Sequence, residues 1–366
     1  MPTSLLRRTA SGLFMVGIPG PRLDAATRRI LVDRPPGGVI LFRRNVRSAE
    51  QLSDLTGEIH ELGAGVAPLV ALDHEGGRVH RLPPPFTHFP PAATVAAGGD
   101  ARLVESVGLA MGRELAAAGV DVDFAPVLDV WSNPRNQVIG DRAFGTTPAA
   151  VARLGLALAR GLSRGGVVPC GKHFPGHGGT VGDSHHVLPR VTTSRRTLAR
   201  VDLAPFVRAI RVRIPALMTA HVVYDALDPR RPATLSPRIC HDLLRRRLGF
   251  RGVLFSDDLE MQAVAGRRTP ERSAVAALAA GCDMLLVCQS LDAAVRAMDG
   301  VERAVERGTL DGTAVTRSLL RVHALRRRVA PRRTATRLRW PAHARLAARI
   351  ARGSLPVSSP AARRGW

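Results

Sequence analysis

Residues 252–261 read Gly252-Val253-Leu254-Phe255-Ser256-Asp257-Asp258-Leu259-Glu260-Met261: an apolar run that passes straight into two adjacent acids. A short run with no polar face suits a strand covered on both sides, as in a parallel sheet. Working outward, seven more such runs occur, at residues 12–18, 37–42, 68–73, 121–127, 167–174, 216–222 and 283–287, each bounded by glycine or proline. Helix-like stretches such as 101–119 and 148–166 lie between them. Alternating strand and helix predicts an α/β parallel sheet. Eight repeats fit a closed (β/α)8 TIM-like barrel better than an open sheet. The 366 residues would divide into two domains at ~150 residues each, but they equally accommodate one large barrel.

The ends of these runs carry the chemistry. Residues 68–73 end in Asp73 and run into His74-Glu75-Gly76-Gly77-Arg78; residues 167–174 contain Lys172-His173; residues 216–222 end around His221; residues 252–257 end in Ser256-Asp257-Asp258. The C-terminal ends of barrel strands form the face on which active sites sit. One charged strand end could simply meet water, but four on one rim predict an enzyme. Of the two adjacent aspartates, one is expected to act as a nucleophile. The other, Asp258, is expected to hold the loop by capping a helix that begins at Leu259.

The densest segment is residues 171–186, Gly171-Lys172-His173-Phe174-Pro175-Gly176-His177-Gly178-Gly179-Thr180-Val181-Gly182-Asp183-Ser184-His185-His186, with four of the twelve histidines beside the only lysine of the chain. In a protein whose other 52 basic side chains are arginines, a retained lysine points to a need for a compact ammonium rather than a planar guanidinium. Its expected role is donation to substrate hydroxyls. The glycines after Pro175 indicate an irregular, mobile loop. Asp183 stands two residues before His185, so a bent loop brings carboxylate to imidazole. That contact favours the protonated ring and suits a general acid near neutral pH. His173 and His177 have the i, i+4 spacing of a helical zinc pair, but Pro175 and Gly176 break such a helix. No metal site is therefore assigned.

Composition excludes several classes. Hydrophobic residues make up 45% and charged residues 23%, ordinary globular usage. The mean hydropathy is +0.02, and no run is long enough for a membrane span. Cys170, Cys240, Cys282 and Cys288 form neither a disulfide framework nor a CxxC zinc knuckle. The net charge is +23, of which 13 arginines without a single acid lie in residues 321–366. This basic end is read as largely solvated, with weak contact to anionic polymers as its one plausible binding role. Arg7-Arg8 before an apolar stretch superficially matches a twin-arginine signal, but the apolar part is short and no A-x-A site follows. The stretch is read as the first strand, and the protein as cytoplasmic.

The motifs together resemble one family. Lys172-His173-Phe174-Pro175-Gly176-His177-Gly178 with Asp183-Ser184-His185 resembles the hallmark of the β-N-acetylglucosaminidases of glycoside hydrolase family 3. So do Phe255-Ser256-Asp257-Asp258-Leu259 with Met261, and Asp73-His74-Glu75-Gly76-Gly77-Arg78-Val79 with Arg81. The stretches 123–129 and 138–144, and Ile40-Leu41-Phe42 with Arg44-Asn45, also match. The resemblance spans about residues 10–325 and implies roles position by position. Asp257 corresponds to the nucleophile, His185 to an unusual histidine acid/base and Asp183 to its partner. Asp73, Arg81, Arg142, Lys172 and His173 correspond to binders of the sugar in the −1 subsite. The implied substrate is terminal β-linked N-acetylglucosamine, typically on peptidoglycan fragments bearing 1,6-anhydro-N-acetylmuramic acid, as in peptidoglycan recycling. No cofactor, metal or obligatory protein partner is implied. Gly179 departs from the family, many of whose members carry an acid there. Residues 343–351 resemble the linker helix that leads two-domain members into a second α/β domain. The expected organisation is thus one catalytic barrel, residues 1–330, and a basic extension, residues 331–366, with that second domain absent.

Two rival functions bear on the same residues. A phosphorylase would use phosphate in place of water; a histidine acid/base permits this because it does not repel the anion, and the arginine surplus would attract it. A non-catalytic sugar- or nucleic-acid-binding barrel is the other. Intact Asp257, Asp183 and His185 argue against it, as does the scarcity of aromatics, with Tyr224 the only tyrosine.

Overall fold

The computed structural model describes residues 3–62, 66–180, 188–266, 268–329 and 339–353. Eight parallel strands close a barrel: β1 Phe14–Gly17, β2 Gly38–Leu41, β3 Leu69–Leu72, β4 Val122–Asp123, β5 Val168–Phe174, β6 Ala216–Thr219, β7 Val253–Asp258 and β8 Met284–Val287. Each pairs with its neighbours in chain order, and β1 pairs with β8 through Phe14 opposite Leu285. All eight expected runs hold barrel strands, seven of them shorter than the runs because the ladder stops where the chain turns out toward the rim, while β7 keeps its length and ends one residue later, at Asp258. Residues 121–127 give the extreme case: only Val122 and Asp123 form the strand.

Helices follow the strands as the outer ring: α1 Ala25–Asp33, α2 Ala49–Glu61, α3 Ala101–Ala117, α4 Pro148–Gly165, α5 Ala204–Arg211, α6 Arg238–Arg247, α7 Pro270–Ala280 and α8 Leu291–Glu306. Their limits follow from local chemistry. Thr147 before Pro148 and Thr269 before Pro270 each accept a backbone N–H of the first turn, with proline where no donor is needed. Gly166 and Gly281 end the same two helices in the left-handed region, at φ 96° and 115°. The α3–α4 pair is unusually close. A Cβ on Gly108 would lie 2.4 Å from the Leu158 carbonyl oxygen, and one on Gly161 would lie 2.2 Å from that of Glu105.

Interior side chains fill the barrel; Phe124 meets Phe255 edge to face at 5.3 Å. A small sheet of residues 190–191, 223–224 and 228–232 stands beside it. In the basic extension, helix Pro341–Gly353 lies against the barrel rather than in solvent. Ala347 and Ile350 are buried, Trp340 stacks on Phe86, and His343 Nδ1 meets Glu114 at 2.8 Å. Its arginines, Arg345, Arg349 and Arg352, stay exposed, so the largely solvated end expected from charge holds for one face of this helix and not for the other. Among the described residues no helix is long and apolar enough to cross a membrane.

Candidate active site

A cleft of about 240 Å3 opens at the C-terminal ends of the strands. Asp73, Arg81, Arg142, Lys172, His173 and Asp257 all line it, so six of the eight side chains expected to act together do meet. Asp183 and His185 lie outside the described residues.

Two irregularities in the ladder aim these groups. The β5–β6 pairing shifts register between Gly171 and Phe174, and the β7–β8 pairing shifts between Phe255 and Asp258. Side chains of successive strand residues normally point to opposite faces. An irregularity re-aims them, and here consecutive pairs, Lys172 with His173 and Asp257 with Asp258, border one cleft.

The β5 end is a closed network of opposite charges. Lys172, 2% exposed, donates to Asp73 Oδ1 at 2.5 Å and meets Glu75 Oε1 at 2.6 Å. Arg142 grips Glu75 through two bonds, from Nε and Nη2, at 2.8 and 2.7 Å. Burial alone would push the Glu75 carboxyl up, but the Arg142 and Lys172 charges hold it well below the ordinary carboxylate range. The same carboxylates overcome the burial of Lys172 and keep its ammonium charged. Asp129 organises the histidines: it bonds the His173 ring at 2.7 Å and accepts the backbone N–H groups of His173 and His177 at 3.1 and 2.7 Å. Burial and the neighbouring His173 bring the His177 imidazole down to about 4, so it is neutral near pH 7. Its Nδ1 meets Thr180 Oγ1 at 2.9 Å. The histidines at i, i+4 therefore serve a carboxylate and a hydroxyl. No group of three metal-ligating side chains occurs among the described residues.

The β7 end is more open. Among the described residues Asp257 accepts one hydrogen bond, from the Asp258 backbone N–H at 2.9 Å. Burial raises its carboxyl, but the imidazoles of His221 and His173, that N–H and the Lys172 ammonium outweigh burial and keep it ionised below the usual range. Asp258 differs. Burial, with Glu260 and Asp257 nearby, pushes its carboxyl up to about 7. Its Oδ1 accepts from the backbone N–H groups of Glu260 and Cys288 at 3.1 and 3.3 Å. It does hold the loop, but it caps no helix: the next one is Gln262–Ala265, preceded by Met261. An aspartate that ties its own turn to the next strand's end leaves the helix to start three residues later than expected.

Sequence reasoning named His221 only as a titratable strand end and gave Glu75 and Asp129 no role of their own. Glu75 and Arg142 are 67 positions apart, and Asp73 and Lys172 are 99 apart; nothing local signals either pair. His221, fully buried, is fixed by Thr234 Oγ1 and the Asp258 carbonyl, both at 2.8 Å. Arg81 has a buried Nε without a hydrogen-bond partner among the described residues.

A closed (β/α)8 barrel with carboxylates, imidazoles and an ammonium converging at its C-terminal rim defines a barrel enzyme. Residues 5–325 match the glycosyl hydrolase family 3 N-terminal domain, and the chain belongs to that family. It is a glycoside hydrolase. The β-hexosaminidase of Chromobacterium violaceum is 48% identical over 287 residues, 76% of this chain and 78% of that one. The β-hexosaminidase of Methylococcus capsulatus is 45% identical over 291 residues, 79% and 86% of the two chains. Among solved structures, a family 3 β-N-acetylglucosaminidase from a Paenibacillus species superposes with a TM-score of 0.92 at 38% identity, over 95% of this chain and 68% of that one. NagZ from Neisseria gonorrhoeae, solved with N-trifluoroacetyl-D-glucosamine, gives 0.73 at 37% identity, over 87% and 98%.

Proposed function

We propose that the chain is a retaining exo-β-N-acetylglucosaminidase that removes terminal β-linked N-acetylglucosamine from peptidoglycan fragments carrying 1,6-anhydro-N-acetylmuramic acid. One observation carries the catalytic assignment. Four carboxylates line the cleft, Asp73, Glu75, Asp257 and Asp258. The first two are engaged by Lys172, and the last is pushed up to about 7. Asp257 alone among them is held ionised with no cation in direct contact among the described residues, the state a nucleophile needs. In the proposed reaction an Asp257 carboxylate oxygen attacks the anomeric carbon, and His185 protonates the departing glycosidic oxygen. His185 then takes a proton from water, whose oxygen attacks the same carbon and releases Asp257. Asp183 orients His185. Asp73, Arg81, Arg142, Lys172 and His173 position the sugar, with Nε of Arg81, which has no partner among the described residues, a ready donor. The names of the relatives support the amino-sugar specificity. Four buried cysteine thiols with no disulfide suit a reducing compartment and support action in the cytoplasm.

The test is to trap the intermediate. A mechanism-based fluorosugar should label Asp257, read by peptide mass spectrometry, and an adduct on any other carboxylate overturns the assignment. Release of p-nitrophenol from its β-N-acetylglucosaminide should yield free N-acetylglucosamine in phosphate and non-phosphate buffers alike; a glycosyl phosphate as the main product would make the protein a phosphorylase.

A further inference from the structure

The function proposed above makes no use of helix Pro341–Gly353, which lies beyond the residues 5–325 matched by the family domain. The helix seats on α3 and on the loop of residues 85–90. Trp340, just before its first residue, stacks on Phe86 with ring centroids 5.5 Å apart. His343 Nδ1 meets Oε1 of Glu114 on α3 at 2.8 Å, and Oε2 of the same carboxylate accepts the Thr87 backbone N–H at 2.7 Å. Phe86, Thr87 and Glu114 are all buried. One carboxylate is thus shared between helix and loop, and moving either away would leave a buried polar group unpaired, which is costly.

The loop in turn holds the segment that carries Arg81. His88 Nε2 donates to the Gly77 carbonyl at 2.8 Å, and the Gly77 N–H donates to the Phe89 carbonyl at 2.9 Å. The two backbones pass so closely that a Cβ on Gly77 would lie 2.6 Å from that of Pro91. The His88 ring also stacks on His80 at 4.2 Å, and His80 meets His74 at 4.5 Å. Burial, with the His88 imidazole beside it, brings the His80 ring down to about 4, so near pH 7 it is neutral and sits between its neighbours without charge repulsion. His74 lies between Asp73 and Glu75, and Arg81 directly follows His80. Arg81 lines the cleft, and its Nε has no partner among the described residues, which leaves its aim to the backbone that carries it.

We propose that Trp340 and His343 are positioning residues for the reaction: through Phe86, Thr87 and the stacked His88 and His80, helix Pro341–Gly353 sets where Arg81 meets the substrate. This inference rests on the reading of Arg81 as a sugar-binding residue. The contacts form an unbroken run of packed rings and hydrogen bonds from helix to cleft. Such a run can carry coupling, and a double-mutant cycle measures it. A misplacement of ~1 Å can cost about a hundredfold in rate, so even a partial shift of Arg81 is measurable.

The experiment is a cycle of four proteins, wild type, Trp340→Ala, Arg81→Ala and the double variant, with kcat/KM read on p-nitrophenyl β-N-acetylglucosaminide. Trp340→Ala should lose ~10-fold in the wild-type background, Arg81→Ala at least as much, and the double variant no more than Arg81→Ala alone. Trp340→Phe, which still stacks on Phe86, should restore most of the loss. If Trp340→Ala costs nothing, costs the same factor in both backgrounds, or is not restored by phenylalanine, the positioning role is overturned while the reading of Arg81 stands. If Arg81→Ala loses nothing, that reading falls and this inference with it. Should Trp340→Ala fail to fold, His343→Ala, at a half-buried position, carries the same cycle, with no loss or an additive one again overturning the inference.

Discussion

At the end of β5, Lys172 is shared between Asp73 and Glu75, Glu75 is clamped by Arg142, and Asp129 collects His173 and the backbone of His177. At the end of β7, Asp257 receives a single hydrogen bond among the described residues, from the next backbone N–H. Both strand ends look alike in sequence, as apolar runs closing on titratable side chains. Under the proposed function, the difference separates groups that hold from groups that react. A charge fully engaged by opposite charges fixes geometry, and desolvation makes it costly to disturb. A charge left with a spare acceptor can take on a new partner in the transition state.

Breaking the β5 network should produce the largest effect. Glu75→Gln removes the carboxylate that Arg142 and Lys172 both use, and loss of one partner of a buried pair costs about 3–5 kcal/mol. Unfolding in denaturant should show a loss near the low end of that range, and kcat/KM should fall ~100-fold as Lys172 and Arg142 shift. The carboxyl is held below its ordinary value of 4.5, so its stabilisation is fully present above that pH and lost as pH falls further. Wild type and variant should therefore converge in acid; a gap that stays constant down to the acid limit would show the charge is not responsible.

Lys172→Arg keeps the charge and tests its shape. In a residue 2% exposed between two carboxylates, a wider planar cation must displace its neighbours. The expected loss in kcat/KM is at least ~10-fold, or about 1.4 kcal/mol, with a loss of thermal stability smaller than that of Glu75→Gln because the charge is kept. Wild-type kinetics would mean the lone lysine reflects codon usage, although its burial between Asp73 and Glu75 already excludes a side chain pointing to solvent.

The smallest effect is expected on the other side of the comparison. Asp258 has its carboxyl pushed up to about 7, so wild type loses stability as pH rises from about 4 through 7 while the unfolded chain is already ionised. An amide still accepts the N–H groups of Glu260 and Cys288 and carries no charge. Asp258→Asn should therefore retain turnover and flatten this pH dependence of the denaturation midpoint. A variant whose midpoint still falls over that range would show that another group, such as Asp202, also raised to about 7, is the source.

What could be read from the sequence was whatever short-range chemistry controls. Apolar runs mark all eight barrel strands, Thr-Pro marks two helix starts, and a following glycine marks their ends. The charged strand ends identify the rim and four of the cleft residues, Asp73, Lys172, His173 and Asp257, while Arg81 and Arg142 came only from the family resemblance. What could not be read arises across distance or from small backbone shifts. The register irregularities at 171–174 and 255–258 leave no local signature, yet they bring neighbouring side chains to one cleft. The Glu75–Arg142 contact joins loops far apart in the chain. The docking of helix Pro341–Gly353 depends on Ala347 and Ile350, two modest apolar positions among arginines, which charge counting hides.

The α3–α4 crossing carries a consequence for how this protein tolerates change. None of its residues lines the cleft, yet Gly108 and Gly161 each face a backbone carbonyl where even a methyl group would collide. A scan of substitutions across the chain would find these two positions among its least permissive, alongside Asp257. Invariance there would report how closely two helices pass, and an observer ranking sites by intolerance alone would mistake a seam in the scaffold for a part of the chemistry.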